Sequence, residues 1–519
     1  MNILLRRHYP VILLLVFVIA AIILFLGDQR VIAYTTHAAS GQSEVKIEGI
    51  DYHNDVLLFD DSVVHDIQVI MLDEEYDAMV NTYQQTGLKE YFRADIIIDG
   101  VRVNDVGIRL KGNASLMSAL GGPMGGGIGP GIGGDQGGDR PGFGNQPGGG
   151  QQLEMPADGQ VPEMPEGGDR PARPEGFQPP ADGGAFPGGM PGFGQVATGE
   201  VKIPFLIKFD EYIDGQTYQG YERIAIRTYG ITPDAAMLEE PVTNDVFRLV
   251  GLPATQTAFT DFQLNDDEAQ LYVISEIIDE NYLARYFDNA DGVLYKAEVG
   301  STLSYQGDDP SSYARDFSQE TRLNDADLAP LIAFMRFIDQ ADDATFEKEL
   351  PDYLDVDTFA AYLALNNLLV NTDSIIGMNN NYYLYYNDVE ERFTLLMWDA
   401  NESFGGLGGA RTANYDLYFS STSQGFRGPG GGENALLERF MATASFKALY
   451  EEKLVEVYEK AFLSGAILED IERYSALIHS VNDERSLVDL TAYDQAVQTV
   501  IDFVTRRIQY LETTDLLSK

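Results

Sequence analysis

A segment made largely of glycine and proline divides this chain of 519 residues into two parts. Residues 121–198 hold 26 Gly and 13 Pro in 78 positions, so these two residue types fill half of the segment. Such a composition cannot bury enough apolar surface to offset the conformational entropy that ordering would cost. The sequence therefore predicts a disordered insert, with residues 55–120 and 199–515 folding together. Whether the insert is a lid, an adhesive or a tolerated insertion stays open.

A long apolar run near the amino terminus predicts a membrane segment. Residues 9–27 are almost wholly apolar and about long enough to cross a bilayer as a helix. Arg6 and Arg7 precede the run, and positive charge stays on the cytoplasmic side, so residues 1–8 are expected inside the cell and the bulk of the chain outside. Residues 28–54 are expected to form a polar tether. A cleaved signal peptide, which would give a secreted protein, is the alternative interpretation.

The charge balance narrows the range of partners. The chain has 35 Lys and Arg against 81 Asp and Glu, which gives a net charge of −46. Such a surface repels nucleic acid and favours cations or basic protein segments, although an acidic surface also serves solubility alone. We therefore expect no nucleic-acid partner. With no Cys, thiol catalysis and thiolate metal sites are excluded, and the sequence has no P-loop, zincin or nucleophile-elbow motif.

The stretch with the most chemical information is residues 371–406, NTDSIIGMNNNYYLYYNDVEERFTLLMWDANESFGG. Apolar residues at helical spacing predict a helix over residues 357–370, and two alternating apolar runs predict a hairpin after it. Pairing of the hairpin strands would bring Asn381 and Asp399 together beside Asp373. Protein kinases use this order of base Asp, metal-binding Asn and metal-binding Asp, because phosphoryl transfer needs an oxygen base and hard oxygen ligands.

The spacing of these residues differs from the ordinary kinase motif. Asn381 and Asp399 follow Asp373 by 8 and 26 positions, both longer than usual, and no His-Arg pair precedes Asp373. The match is therefore one of order. Taken alone, an Asp that follows a helix is more often a cap or turn residue, and Asp399 could simply end a strand.

Several sequence blocks, taken jointly, resemble one known family. They are VHDIQVIMLDEEYDAM, GIRLKGNAS, KIPFLIKFDEY, GVLYK, NNNYYLYYND and WDANESFGG, in that order over most of residues 55–515. The chain closely resembles the spore coat protein H (CotH) family of atypical, secreted-type protein kinases. The resemblance implies a two-lobe, protein-kinase-like fold, and the strands and helices predicted along the chain indicate an α+β fold with a mainly helical carboxyl-terminal lobe. The resemblance also implies an enzyme that uses ATP and Mg²⁺ or Mn²⁺ to phosphorylate Ser or Thr of surface or coat proteins.

The resemblance assigns roles residue by residue. Asp373 matches the catalytic-loop Asp, which accepts the proton of the substrate hydroxyl, and Asp399 matches the Asp that holds magnesium. Asn381 falls where a second metal ligand is expected, with Asn379 and Asn380 beside it as alternatives in register. These three roles make up the predicted catalytic and metal site.

Cationic residues are expected to bind the phosphates of the nucleotide. Lys208 lies in the strand-like segment FLIKF and corresponds to the phosphate-contacting Lys, while Arg109 and Lys111 alternate along GIRLKGNAS and would point to one face of a strand. Asn113 belongs to the turn that follows. Read singly, Lys208 would be a solvated residue on a half-buried strand. The acidic partner of the Lys is left open among three residues: Glu239, Glu240 and Glu276.

The remaining sequence predicts scaffold. A strand, a helix and a hairpin with Asp99–Gly100 at its turn are predicted over residues 64–106, a helix over 239–249, strands over 270–278 and 292–296, and helices over most of 434–517, with Arg506–Arg507 on the last one. Because the strands that flank the insert are expected to pair, the insert would loop out at the rim of the site. The Gly-rich residues 405–433 are predicted to be a second mobile loop.

Two further functions stay open beside the kinase. The first is a non-catalytic, pseudokinase-like cell-surface adhesin or structural coat protein, which the membrane segment and the insert would suit. The second is an extracellular metal-binding module that uses the acidic residues without a nucleotide. Nucleotide binding separates the last of these from the kinase.

Overall fold

The computed structural model describes residues 49–112, 116, 119–120, 202–228, 236–298, 301–323, 327–406, 412–419 and 434–518. The predicted membrane segment 9–27, the predicted insert 121–198 and Asn113 lie outside these residues, as does much of the second Gly-rich loop. Within the described ranges, none of the helices is both long enough and apolar enough to span a membrane.

The first part of the described chain is a closed barrel of seven strands. In spatial order the strands are β2, β3, β4, β5, β7, β9 and β8, and β2 closes the barrel by pairing in parallel with β8. Their bounds, with the short strands β1 and β6 that pair beside the barrel, are β1 Asp51–Tyr52, β2 Val64–Ile70, β3 Phe92–Ile98, β4 Val101–Leu110, β5 Phe205–Lys208, β6 Thr217–Tyr218, β7 Arg223–Arg227, β8 Thr257–Leu264 and β9 Gln270–Glu276.

The second part combines a four-stranded sheet with helices. The sheet has the order β11, β10, β12, β13, with β10 Val293–Ala297, β11 Phe317–Gln319, β12 Tyr382–Asn387 and β13 Arg392–Met397. The α-helices of the whole described chain are α1 Asp73–Thr86, α2 Glu239–Leu249, α3 Glu280–Tyr286, α4 Ala329–Gln340, α5 Asp343–Tyr353, α6 Val356–Leu368, α7 Ala435–Ala442, α8 Ala444–Val457, α9 Ala466–Arg485 and α10 Leu490–Leu511. The α+β class predicted from the sequence is therefore confirmed.

The alternation of side chains along the barrel strands separates an apolar interior from an outer face that carries several cations. The interior is filled by β-branched and aliphatic side chains such as Ile108, Leu110, Ile207 and Ile226, all buried in one cluster. Successive side chains of a strand point to opposite faces. The residues between them, including the cations of β4, β5 and β7, therefore lie on the outside of the barrel.

The strands that flank the insert do pair, as predicted. Leu110 at the end of β4 lies opposite Phe205 at the start of β5. The next residue, Lys111, donates its backbone N–H to the carbonyl of Pro204 at 2.9 Å. The chain thus leaves the barrel and returns to it at adjacent positions, so the pairing of β4 with β5 survives the long separation in sequence.

Most predicted elements have the predicted type and nearly the predicted bounds. Helix α2 begins and ends where expected, and α6 begins one residue before the predicted helix 357–370 and ends two residues before its predicted end. The hairpin turn at Asp99–Gly100 has positive φ at both residues, 48° and 82°, which suits a tight two-residue turn. Asp51 and Tyr52, within the predicted tether 28–54, already pair with β6.

Candidate active site

Asp373 lies in a loop between α6 and β12, and two neighbouring amides fix its carboxylate. Asn381 donates its side-chain N–H groups to the backbone oxygen and to Oδ2 of Asp373, both at 2.9 Å. Asn380 lies 3.5 Å from the other carboxylate oxygen. The loop that carries these residues therefore holds Asp373 in one orientation before any ligand arrives.

The surroundings of Asp373 favour its protonated form. Burial raises the pKa of Asp373 to about 8, the negative charges of Asp399 and Glu402 add to the shift, and the hydrogen bonds from Asn380 and Asn381 oppose it. A cation beside Asp399 would reduce the repulsion that contributes to this shift. The carboxyl group is thus poised to respond to the charge of what binds next to it.

Asp399 directly follows β13 and is bound by an arginine. Arg227, the last residue of β7, contacts Oδ1 of Asp399 through Nη2 and donates from Nε to Oε2 of Glu240 at 2.6 Å. Ser275 on β9 donates its hydroxyl to the other oxygen of Glu240 at 3.1 Å. One cation on the outer face of the barrel therefore links a carboxylate at the start of α2 to the carboxylate predicted to hold the metal.

Arg227 and Glu240 are buried, whereas Asp399 retains contact with solvent. The side chains of Arg227 and Glu240 are 7% and 5% exposed, against 28% for Asp399. Burial alone would lower the pKa of Arg227, but Asp399 and Glu240 outweigh it and raise that pKa. Burial raises the pKa of Glu240, and the charge of Arg227 opposes the shift. Asp399 is therefore the member of this trio that a solvent-borne ion can reach.

Trp398, the only tryptophan of the chain, contacts Arg227 of this trio and a second cation. Lys111 places Nζ 5.1 Å from the centre of the indole ring, and the guanidinium carbon of Arg227 lies 5.4 Å from it. Both distances are within cation–π range. Lys111, one of the predicted phosphate-binding residues, is thereby placed next to the residue that precedes Asp399.

The other two described cations predicted to bind phosphate lie around Tyr91. Arg109 and Lys208 have their charged ends 5.2 and 5.8 Å from the centre of the Tyr91 ring, and Lys208 pairs with Glu211 at 3.2 Å. Lys208 lies opposite Arg223 in the β5–β7 ladder, four residues from Arg227. That is about 13 Å along the strand at the usual rise per residue. The roles of Lys208, Arg109 and Asn113 stay predictions.

Arg227 is the residue that sequence reasoning missed. The open question of the acidic partner involved Glu239, Glu240 and Glu276; the structure pairs Glu240 with Arg227 and Glu276 with Arg285. The signal that could have found Arg227 is its place in RIAIR, where the alternation of a strand ends in a cation shortly before a helix that begins with two Glu.

Four residues of the site have a left-handed backbone conformation. Asn379, Asn381, Asp399 and Phe404 all have positive φ, between 50° and 58°. Such values are uncommon for residues other than Gly and persist only where the surroundings hold them in place. Asn379 is held in this way, because its backbone oxygen accepts from Ser301 at 3.2 Å and its amide oxygen from Asn434 at 2.9 Å.

The oxygen donors of Asn381 and Asp399 suit a hard divalent cation. The side-chain N–H group of Asn381 is directed at Asp373, which turns its amide oxygen the other way. Among the described residues, no group of three or more His, Asp or Glu side chains could hold a metal by itself. Kinase-type sites need fewer protein ligands, because magnesium keeps several waters and binds phosphate oxygens. The donor set fits such a shared site.

Comparison with known proteins decides the family. The model of the family described as CotH kinase protein matches residues 193–511, more than half of the chain. The chain belongs to the CotH kinase family. The matched region holds Arg227, Glu240, Asp373, Asn381 and Asp399, and it begins after the blocks VHDIQVIMLDEEYDAM and GIRLKGNAS.

Two individual proteins are similar to this CotH-family chain. It is 23% identical over 290 residues to the inner spore coat protein H of Bacillus subtilis (strain 168). The matched region covers 54% of this chain and 75% of that protein. Among solved structures, the proinflammatory kinase CtkA of Helicobacter pylori gives a TM-score of 0.23 at 11% identity, with 56% of this chain and 88% of CtkA covered. A likeness at this TM-score carries no argument about this chain.

Proposed function

We propose that this CotH-family protein is a kinase that transfers phosphate from ATP to Ser or Thr of surface or coat proteins. The observation that carries the proposal is the double contact of Arg227 with Glu240 and Asp399, beside an Asp373 that Asn381 orients. A strand cation paired with a helix Glu, a base Asp, an amide ligand and a metal Asp are the parts that phosphoryl transfer requires. The family and these contacts support the proposal together.

Asp373 would act as the base. A substrate hydroxyl that approaches Asp373 would give its proton to the carboxylate as the hydroxyl oxygen bonds to phosphorus and the bond to the leaving diphosphate breaks. Asn381 would keep the accepting oxygen aimed at the incoming hydroxyl. The raised pKa of Asp373 matches this task once a bound cation offsets the charge of Asp399, because a base works best near the operating pH.

Arg227 and Lys111 would supply positive charge to the phosphates. Arg227 contacts Asp399 directly, and Lys111 lies against Trp398, the residue before Asp399. Charge that builds up on the transferred group would be stabilised most where water is scarce, and Arg227 and Lys111 are both largely buried. ATP supplies the transferable group, and Mg²⁺ or Mn²⁺ held by Asp399 and Asn381 would neutralise its charge.

The finer architecture belongs to the same proposal. The barrel with α2 would form one lobe, and the four-stranded sheet with the later helices, among them α7 to α10, would form a mainly helical carboxyl-terminal lobe. Two observations support this division: the barrel strands and the later sheet have separate hydrogen-bond networks, and the barrel interior forms a buried cluster of its own. The buried side chains of α2 and of part of the barrel exterior belong to the cluster of the later sheet and helices, so α2 connects the two proposed lobes. The proposed catalytic residues come from both halves.

Substrate and location extend the proposal. With a net charge of −46, the protein would favour Ser or Thr flanked by Lys or Arg, because acidic surfaces attract basic segments. Residues 9–27 would anchor it in the cell membrane with the bulk of the chain outside the cytoplasm. Phosphorylation that is insensitive to flanking charge would contradict the substrate preference.

The test is transfer of labelled phosphate by the full-length protein in mild detergent with magnesium. Autophosphorylation and transfer to a Ser-rich basic peptide are measured for the wild type, Asp373→Ala and Asp399→Ala. Transfer that both substitutions abolish, with folding intact by circular dichroism, is the expected result. If nothing is transferred and ATP with magnesium leaves both the melting temperature and the Trp398 emission unchanged, the kinase proposal fails and a non-catalytic surface protein becomes the better interpretation.

A further inference from the structure

Arg507 on the last helix is a buried cation that the proposed chemistry does not use. Its side chain is fully buried and makes five described hydrogen bonds. All five end on neutral oxygens: the backbone carbonyls of Asn367, Leu368, Ala413 and Tyr415 and the side-chain amide of Asn367, at 2.7–3.1 Å. Arg507 therefore gathers carbonyl groups from two separate segments of chain.

A cation at this position complements the end of a helix. Asn367 and Leu368 form the carboxyl end of α6, whose last carbonyls lack partners within the helix and carry partial negative charge. Burial lowers the pKa of Arg507 to about 10, and smaller contributions, from Tyr510 first, oppose the shift. Arg507 remains charged at neutral pH, so it can bind all of these carbonyls at once, which the planar five-donor guanidinium group is suited to do.

The segments that Arg507 binds are attached to the candidate active site. Helix α6 ends five residues before Asp373, and the carbonyl of Leu369 accepts from the backbone N–H of Phe404 at 2.7 Å. Phe404 lies five residues after Asp399 and its ring contacts Phe503, one turn before Arg507 on α10. The end of α6 is therefore the point where the loop of Asp373 and the segment after Asp399 are joined.

The second segment is residues 412–419, the described part of the Gly-rich region. Arg507 binds the carbonyls of Ala413 and Tyr415, and Asn367 donates its side-chain N–H group to the carbonyl of Asp416 at 2.9 Å. Tyr450 on α8 donates its hydroxyl to the carbonyl of Leu417. These bonds tie residues 412–419 to the end of α6 through Arg507 and Asn367 and to α8 through Tyr450.

Arg506, the neighbouring residue, provides an internal contrast. It is exposed, and its Nε donates to the carbonyl of Asp502 one turn earlier on its own helix at 3.2 Å. It shares residue type, helix and charge with Arg507 but binds neither segment through any described contact. The pair therefore separates the effect of a cation on α10 from the effect of binding the end of α6.

We propose that Arg507 is a positioning residue: by binding the carboxyl end of α6 and residues 412–419 together, it fixes the loop of Asp373 relative to the segment after Asp399. The part of this proposal that concerns catalysis rests on the proposed kinase function. The part that concerns structure is independent of the kinase function, because amide hydrogen exchange measures directly how firmly the two segments are held.

The experiment compares full-length Arg507→Gln, Arg507→Lys and Arg506→Gln. Arg507→Gln should increase hydrogen exchange in peptides that cover residues 366–381 and 399–406, while a peptide from β8 keeps its protection. It should lower kcat by about 10²-fold with the KM for ATP nearly unchanged, since small misplacements of catalytic groups cost about that much. Arg507→Lys should restore part of both properties, and Arg506→Gln should match the wild type.

The proposal can still be tested if Arg507→Gln does not fold. Asn367→Ala keeps Arg507 but removes the amide that binds both Arg507 and the carbonyl of Asp416, and it should raise exchange in the same two peptides to a smaller degree. Wild-type exchange in those peptides in the folded variants overturns the proposal. If the wild type transfers no phosphate, the kinase proposal fails, and the exchange data still decide the structural role.

Discussion

Two buried arginines of this protein have opposite kinds of partner. Arg227 lies between two carboxylates, Glu240 and Asp399, whereas the described hydrogen bonds of Arg507 all end on neutral oxygens. The first arrangement includes a partner that solvent can reach, so its charges can be redistributed when an anion or a metal arrives. The second binds only backbone and amide oxygens in the interior. We infer that the first serves ligand binding and the second serves position.

The comparison also shows how the fold supplies each kind of site. Arg227 ends a barrel strand, where alternation alone would leave a cation on the outer face, and α2 covers it with Glu240. Arg507 comes from a helix face that is otherwise apolar and meets the end of another helix. In both cases the ion pairs or hydrogen bonds of the guanidinium group offset the free-energy cost of removing its charge from water.

The largest effect is expected from the base. Asp373→Asn should lower kcat by roughly 10²- to 10⁴-fold, the range for removal of a general base, with little change in the melting temperature. The asparagine keeps an oxygen for the bonds that Asn381 donates, so the loop should retain its shape. Steady-state phosphate transfer measures the loss.

Asp388→Asn is the matched control for the base. Asp388 lies at the exposed tip of the hairpin between β12 and β13, where it pairs with Arg322 at 3.1 Å. Its replacement should leave kcat as in the wild type. Equal activity of Asp373→Asn and the wild type would remove Asp373 from the mechanism and with it the main support for the kinase proposal.

Removal of Arg227 should sharpen the contrast between the two arginines. Arg227→Met leaves Glu240 buried without its cation, and loss of one member of a buried ion pair costs about 3–5 kcal/mol of unfolding free energy. Adding Glu240→Gln should recover much of that stability but no activity. Denaturant unfolding of the single and double variants, with transfer assays on each, checks both statements.

How much of this could be read from the sequence depends on how local the signal is. Asp373, Asn381 and Asp399 lie within 27 residues, in the loop after a helix and at the two ends of the hairpin that follows it. The periodic patterns of that helix and hairpin are visible in the sequence, so the meeting of these residues could be predicted. Arg227 binds Glu240 and Asp399 at separations of 13 and 172 residues. The first pairing has a local signal, a strand that ends in a cation before a helix that begins with two Glu, whereas no local pattern links Arg227 to Asp399. The periodic segments also gave the α+β class and the bounds of α2.

The sequence contains Arg507 in a predicted helix but does not reveal its role. The apolar spacing of Val500, Phe503 and Leu511 places Arg507, and not Arg506, on the apolar face of the last helix. What Arg507 binds there cannot be read from the sequence, because its partners include backbone carbonyls, which every residue possesses. The Gly-rich residues 405–433 show a different limit: their composition predicts a mobile loop, although residues 412–419 within it are bound at several carbonyls. Main-chain recognition leaves no complementary pattern of residue types.

Asp279 is a buried acidic residue at the start of a helix, whereas Arg507 is a buried cation at the end of one. The contribution of Asp279 to stability can be tested by changing the pH. Asp279 caps the first turn of α3, accepting from the backbone N–H groups of Asn281 and Tyr282 at 3.0 and 3.2 Å. Burial raises the pKa of Asp279 from 3.8 to about 6. Because the folded state binds this proton more tightly than the unfolded state, the contribution of Asp279 to stability is lost as pH rises from about 4 through 6.

Asp279→Asn should therefore stabilise the protein above pH 6 and not at pH 4. The gain at pH 8 should approach ~3 kcal/mol of unfolding free energy, since Asn keeps an acceptor for the cap but carries no charge. Denaturant unfolding at pH 4.5 and pH 8 measures the difference. Asp342→Asn, at the exposed cap of α5, is the control and should give no such gain, because a backbone hydrogen bond from Thr345 lowers the pKa of Asp342. A gain of equal size at both pH values would mean that burial of charge is not its cause.

The smallest effect concerns which lysine serves the nucleotide. Lys111 lies against Trp398 beside Asp399, whereas Lys208 lies by Tyr91 and pairs with Glu211. If the contact with Trp398 decides, Lys111→Gln should weaken ATP binding about tenfold, or about 1.4 kcal/mol, which is just below the 1.5–3 kcal/mol range of a hydrogen bond to a charged group. Lys208→Gln should change ATP binding less than about twofold. Titration of Trp398 emission with ATP and magnesium reports both, since the chain has no other tryptophan. A larger effect at Lys208 would mean that the nucleotide extends along β5, and the prediction made from the family pattern would then be the better one.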